Sequence, residues 1–156
     1  MKNARGYTLL EILFTVAIFS VVILGVYGVL LTGDIVFNKD MTLLEMESQS
    51  RNAIDRIVRE VRQASSQVIT ANYNGTTNDK ILFTTPSYAG VQYYLSGTAL
   101  VREYPAGTVV KLASNINLLK FTLVGSLLTI QTQASQTLYN SAVTFPLIEK
   151  VRLRNE

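Results

Sequence analysis

Two contrasting stretches open the chain, a short polar one and a long apolar one. Residues 1–6 read MKNARG and include two basic side chains, whereas residues 7–31 contain one charged residue, Glu11. About 20 apolar residues are enough for a helix to cross a bilayer, so residues 7–31 are predicted to form a membrane-spanning helix. A carboxylate costs roughly 2.5–3.5 kcal/mol at the centre of such a helix and less near its end. Glu11 is therefore a candidate functional residue.

Helical spacing continues beyond the apolar run. Residues 35–64 contain no proline and no glycine. Apolar residues recur there at i, i+3, i+4 and i+7, the spacing of one helix face. The positions that form this stripe are Ile54, Ile57, Val58, Val61, Ala64 and Val68. The pattern predicts an amphipathic helix over residues 32–69 that continues from the span into a globular domain. Charged residues four apart, such as Arg56 and Glu60, are expected on its solvated face.

The remaining chain alternates apolar and polar residues in short runs between turn residues. The predicted strands are Lys80–Thr84, Val91–Leu95, Ala99–Tyr104, Ile116–Val124, Leu127–Gln133 and Val143–Leu153, with Val109–Ala113 as a strand or a loop edge. Turns at Gly97 and Gly125 join two pairs of them as hairpins. Pro146 is expected to interrupt the last strand or to end it early. Strands that follow one long helix predict an α+β fold with an antiparallel β domain over residues 70–156.

Two ordinary explanations of the N-terminus compete with a functional one. A secretory signal peptide combines a basic start, an apolar core of 7–15 residues and a cleavage site of small residues. The apolar run here is longer, and no such site follows it before Gly33. A plain signal anchor accounts for the length and the basic start, and a glutamate near a helix end reaches the interface. That explanation assigns no role to Glu11.

The sequence GYTLLE at residues 6–11 resembles the processing site of type IV prepilins and of the pseudopilins of type II secretion. In that family a short basic leader ends in glycine, and an aromatic residue followed by Thr-Leu-aliphatic-Glu opens the apolar helix. The resemblance implies that a membrane prepilin peptidase cleaves after Gly6 and that the new amino group of Tyr7 is methylated. Tyr7 stands where most members carry phenylalanine, and the proline that many major pilins have in this helix is missing.

The same resemblance implies that Glu11 acts in filament assembly. Cleavage leaves a positively charged amine on Tyr7, and Glu11 of one subunit pairs with that amine of its neighbour. Opposite charges about 4 Å apart attract several times more strongly in a partly buried setting than in bulk water. The expected site therefore comprises Gly6 and Tyr7 for processing and Glu11 for the assembly contact.

Parts of the C-terminal region resemble the larger minor pseudopilins of the J type and related minor pilins. The segments that carry this resemblance are RNAIDRIVREVRQA in the helix, VQYYLSGTALVREY, INLLKFTL and the terminal VRLRN. The resemblance implies a low-copy subunit that acts at a filament tip or in assembly initiation. The expected partners are other pilin or pseudopilin subunits, an inner-membrane assembly platform with its ATPase, and membrane lipid. A type IV pilus, a type II secretion pseudopilus and a competence pilus all stay open.

Charge indicates how the anchor is oriented. The net charge is +3, and with Lys2 and Arg5 removed from the 14 basic residues, 12 remain against 11 acidic ones. Both leader charges precede the span, so the positive-inside rule places the leader in the cytoplasm and the C-terminal domain outside. We expect a single-pass protein of the inner membrane whose domain is periplasmic or at the cell surface. Without cysteine, that domain must rely on its core rather than on disulfides.

Composition argues against an enzyme. The chain has no histidine and no cysteine, which removes Ser-His-Asp triads, thiol nucleophiles and ordinary zinc sites. The glycines do not form a phosphate-binding loop, and the carboxylates are not spaced like a calcium loop. We expect no catalytic residue, no cofactor and no metal.

A DNA-binding minor pilin of a competence pilus is the alternative function. Tyrosines and basic residues are candidates for a basic aromatic surface. They are Tyr73, Tyr88, Tyr93, Tyr94, Tyr104 and Tyr139 with Lys80, Arg102, Lys111 and Lys120. Tyrosines in strands more often face a core or a neighbouring strand, so nucleic acid is the less favoured partner.

Overall fold

The computed structural model describes residues 7–64, 66–70 and 79–153. These residues form an α+β fold in which a long N-terminal helix packs on antiparallel β-sheet structure, which confirms the predicted fold class. The elements are helix α1 (Leu9–Val61) and strands β1 (Ser66–Thr70), β2 (Lys80–Thr84), β3 (Val91–Ser96), β4 (Ala99–Glu103), β5 (Val109–Ala113), β6 (Ile116–Val124), β7 (Leu127–Leu138) and β8 (Ser141–Arg152). Contacts between Cα atoms divide the chain into two units, Met1–Asp40 and Met41–Glu156.

The strands of the second unit form two antiparallel sheets. The larger sheet has the order β1-β2-β3-β4-β5 and the smaller one the order β6-β7-β8. Strands that are neighbours in a sheet are also consecutive in the chain, and every pair is antiparallel. Strand β6 lies close to β1, β2 and β3, so the two sheets meet along it.

The core of the second unit joins one face of α1 to the inner faces of both sheets. The buried residues of α1 are Met46, Ser50, Ala53, Ile54, Ile57, Val58 and Val61. They include four residues of the predicted stripe, and Ala64 just beyond the helix is buried as well. The sheets contribute large side chains such as Phe83, Tyr93 and Phe121, each no more than 1% exposed. Each fully buried aliphatic or aromatic side chain stabilises the fold by roughly 1.5–3 kcal/mol.

Helix α1 ends before the predicted boundary. The amides of Gln63 and Ala64 donate to carbonyls three residues earlier, which tightens the final turn and closes the helix. Residues 66–70 then form strand β1, in which Val68 lies opposite Leu82 of β2. The prediction that the helical stripe extends to Val68 is therefore wrong, and the β domain begins at Ser66. Pairing with β2 supplies the backbone hydrogen bonds of this segment, and the β-branched Val68 favours a strand over a helix.

Strand β8 continues through Pro146, against the prediction that this residue interrupts or ends it. Pro146 stays in register opposite Gln133 of β7. The reason is that β8 lies at the edge of its sheet. An edge strand has one unpaired side, and a residue without an N–H is tolerated where its nitrogen faces that side.

The other predicted strands are present, some with longer bounds. The β3–β4 hairpin turns at Gly97, whose φ of 63° is the left-handed conformation that glycine adopts without steric cost. Residues Val109–Ala113 form strand β5, at the edge of the larger sheet. Strand β7 extends to Leu138 because its whole length pairs with β8.

Candidate processing and assembly site

Thr8 defines the first turn of α1. Its side-chain oxygen accepts a hydrogen bond from the amide of Glu11 (3.3 Å), and its carbonyl accepts one from the amide of Ile12 (3.3 Å). Thr8 is thus the N-cap, and its side chain gives the Glu11 amide a second acceptor beside the Thr8 carbonyl at 3.1 Å. Glu11 occupies the third helical position, as in the capping-box pattern Thr-x-x-Glu. The negative charge of Glu11 also interacts favourably with the positive end of the helix dipole.

Tyr7 and Glu11 lie on the same side of this first turn. Both line one shallow groove together with Ile12, Thr15 and Val16. Tyr7 is 80% exposed and Glu11 is also exposed. The structure therefore brings together two of the three predicted site residues and leaves both accessible. Gly6, the third, lies outside the described residues.

Polar side chains within the apolar run are satisfied inside the helix. Thr15 and Ser20 each donate a hydrogen bond of 2.7 Å to the carbonyl four residues earlier, and Thr32 donates one of 3.0 Å. Such bonds allow hydroxyl groups to lie in hydrocarbon without an unmet hydrogen bond. The carboxylate of Glu11 is therefore the polar group of residues 7–31 that most needs a partner from outside the helix.

The apolar surface of the same run is uncovered. Its large side chains between Leu9 and Leu31 are 49–83% exposed. Within the described residues, helix α1 is the one helix long and apolar enough to span a membrane. None of its most apolar stretch is buried. An exposed apolar surface of this extent requires lipid or other subunits to cover it.

A second polar cluster, which the sequence analysis missed, fastens α1 to the larger sheet. Glu60, expected on a solvated helix face, accepts hydrogen bonds from Nε of Arg102 at 3.1 and 3.0 Å. The Arg102 side chain is 8% exposed and that of Glu60 is 20% exposed. The predicted pair between Arg56 and Glu60 also forms, at 3.4 Å. No pattern in the sequence indicates that Arg102, on a strand, faces the helix.

Aromatic rings surround this ion pair. The guanidinium of Arg102 lies 5.5 Å from the ring centre of Tyr104 and 5.9 Å from that of Tyr88, both cation–π distances. Burial, with a contribution from Glu60, raises the pKa of the buried Tyr93. Burial lowers the pKa of Arg102, but Glu60 outweighs this effect and raises it overall. Both groups keep their ordinary charge states at neutral pH, which suits a structural link rather than proton transfer.

The predicted basic aromatic surface is brought together only in part among the described residues. Tyr93 is fully buried, whereas Tyr94, the next residue of β3, donates a hydrogen bond of 2.9 Å to Glu103. Tyr139 lies in the turn between β7 and β8. Arg102 is committed to Glu60, and Tyr73 lies outside the described residues. Two groups of the predicted members do lie together, Lys80 at 5.1 Å from the ring centre of Tyr94 and Arg102 beside Tyr88 and Tyr104.

No group of carboxylates in the described residues is arranged to hold a metal ion.

The match to known protein families lies at the N-terminus. Residues 1–27 match the family model described as the prokaryotic N-terminal methylation motif. No curated protein and no solved structure matches the chain. The motif implies processing by a prepilin peptidase and assembly with other pilins, and with the apolar helix it supports a single-pass membrane anchor. The match covers residues 1–27 of 156, so it gives this chain a prepilin-type N-terminus and supports a relationship to type IV pilins and pseudopilins.

Proposed function

We propose that this protein is a minor subunit of a type IV pilus or of a type II secretion pseudopilus, cleaved after Gly6 and assembled through Glu11. The observation that carries the proposal is the Thr8-capped first turn, which holds Glu11 beside Tyr7 at the start of an exposed apolar helix. The methylation motif over residues 1–27 supports it.

Cleavage after Gly6 makes Tyr7 the first residue of the mature protein. Its amine is positively charged at neutral pH. A free amine at this place adds a charge to a surface that is otherwise apolar apart from Glu11. Methylation of the amine keeps that charge.

Glu11 then acts as the counter-ion of a neighbouring subunit's Tyr7. Its exposed carboxylate projects from the first turn, where another chain can reach it. At about 4 Å, two opposite charges attract by about 1 kcal/mol in bulk water and about 4 kcal/mol in a setting of intermediate polarity. Removing one member of such a pair leaves the other without compensation, which costs more than the pair itself contributes.

The organisation proposed for the chain follows from these steps. Residues 1–6 are the cleaved leader, and residues 7–31 are the transmembrane and filament-core helix. The helix continues to Val61 as part of the domain, which lies outside the cytoplasmic membrane. The resemblance of segments such as RNAIDRIVREVRQA and INLLKFTL to minor pseudopilins supports a tip or initiating subunit over a bulk pilin.

Replacement of the carboxylate tests the assembly step. A Glu11→Gln variant should insert into the membrane and lose its leader normally, but fail to enter filaments. The measurements are the mass of the mature chain and its share in sheared filaments. Asp40→Asn is the matched control, because Asp40 is an exposed carboxylate on the same helix outside the first turn.

Two results would contradict the proposal. Normal entry of the Glu11→Gln variant into filaments would refute the role of Glu11. A wild-type chain that keeps residues 1–6 in a cell with active prepilin peptidase would favour the plain signal anchor instead.

A further inference from the structure

The outer surface of the smaller sheet has an unusual composition. Residues directly opposite each other on antiparallel strands point to the same side of the sheet. Three successive cross-strand rows on one side are therefore read directly from the register. The rows are Val124–Leu127–Arg152, Thr122–Thr129–Lys150 and Lys120–Gln131–Ile148. We call these nine positions the basic face.

The basic face points away from the core. The residues that alternate with it along the strands, such as Phe121, Leu128 and Val151, are fully buried. They face α1 and the larger sheet, as members of the core cluster. The nine positions themselves are all exposed or half-buried. Their side chains are thus not part of the core cluster.

Cations collect on this face without anions. Lys120, Lys150 and Arg152 are basic, and none of the nine positions is acidic. None of these three cations forms an ion pair within the described part of the chain. Arg152 also lines a pocket with Arg59 of α1 and with Arg62, which follows the helix, and these two residues extend the positive surface. Like charges gathered in this way attract an anionic partner.

Aliphatic side chains are interspersed with the cations. Val124 is 71% exposed, Ile148 57% and Leu127 40%. Bases of single-stranded nucleic acids stack on aromatic side chains, and none of the nine positions is aromatic. Exposed aliphatic residues beside unpaired cations match a polypeptide that presents carboxylates and aliphatic side chains together.

We propose that the basic face binds an acidic segment of another protein, in which carboxylates flank aliphatic residues. The carboxylates contact Lys120, Lys150 and Arg152, and the aliphatic side chains cover Val124, Leu127 and Ile148. The proposal does not depend on the assembly role of Glu11. A chain that fails to assemble would still bind such a segment.

Binding of short fluorescent peptides to the full chain in uncharged detergent micelles tests this surface. The probe is a peptide of alternating glutamate and valine, compared with one of alternating lysine and valine. A Lys150→Glu variant should bind the glutamate peptide roughly fivefold or more weakly. Lys111→Glu is the matched control, because it makes the same change at an exposed position of β5 in the larger sheet. Leu127→Ser should also weaken binding, since it removes an exposed aliphatic contact.

Four outcomes would overturn the proposal. The first two are that neither peptide binds and that Lys150→Glu and Lys111→Glu weaken binding equally. Another is that duplex DNA binds with a steep salt dependence while the glutamate peptide does not, which would assign the face to phosphate groups. The last is self-association of the full chain that Lys150→Glu abolishes, which would make a second copy the occupant.

Discussion

The ion pair between Glu60 and Arg102 gives the sharpest test of how α1 is fastened to the sheets. In a Glu60→Gln variant, Arg102 keeps its place between two tyrosine rings but loses its counter-ion. Its side chain is only 8% exposed, so water cannot replace the lost carboxylate. We expect the free energy of unfolding to fall by about 2–3 kcal/mol, somewhat below the usual cost of orphaning a buried charge because the rings and the new amide still contact it.

The reverse change should cost less. In an Arg102→Met variant, Glu60 retains Arg56 at 3.4 Å and is itself 20% exposed. A loss of about 1–2 kcal/mol is expected, because the remaining charge is partly solvated and paired. The double variant should be less destabilised than the sum of the two by about 1 kcal/mol or more, since the residues share one interaction.

Denaturant unfolding of the full chain in detergent, followed by near-ultraviolet circular dichroism of the buried tyrosines, measures these differences. Glu47→Gln is the matched control, because it breaks the exposed pair with Arg51 on the same helix and should cost no more than about 0.5 kcal/mol. If Glu60→Gln were as mild as Glu47→Gln, or if the double variant were additive, the buried pair would contribute nothing and the reasoning would fail.

Three further predictions concern the β domain. The pKa of Glu103 is lowered because its carboxylate accepts hydrogen bonds from the amide of Gly107 and then from the hydroxyl of Tyr94. Its contribution to stability is therefore present above the unfolded pKa and is lost as the pH falls through the lowered one. In a Glu103→Gln variant, the free energy of unfolding should fall less steeply as the pH is lowered. An unchanged slope would contradict the assignment of this stability to Glu103. Gly97→Ala forces a side chain into positive φ and should destabilise the domain by about 1 kcal/mol in the same denaturant assay, whereas an unaffected midpoint would argue against the turn geometry. Phe121→Ala should cost about 3–5 kcal/mol by leaving a core cavity, and a loss under 1 kcal/mol would mean that β6 does not seal the core.

Local patterns accounted for much of the fold. The stripe at Ile54, Ile57 and Val58 is buried as its spacing predicts, because a helix presents every third or fourth residue on one face. The hairpin turn at Gly97 lies where glycine between two strand-like runs predicts it. Patterns failed at Val68 and at Pro146, where the outcome depended on which strand lies next to the residue.

The candidate site divides in the same way. Glu11 stands out in the sequence because a lone carboxylate in an apolar run is costly wherever the helix lies, and its proximity to Tyr7 follows from four-residue spacing. The link between Glu60 and Arg102 joins residues 42 positions apart. No local rule says which face of β4 meets α1.

The sequence alone thus determined the anchor helix, the position of Glu11 within it and the β-rich character of the domain, since these depend on composition and on spacing along one element. Only the tertiary structure decided that the strands form two sheets, that Arg102 is buried against the helix and that Lys120, Lys150 and Arg152 share one outer face. The physical reason is that strand register and sheet packing are settled by contacts between distant residues. Glu11 is identified without any such contact, because it is the one charged residue of the apolar run. Its partner is expected on another subunit.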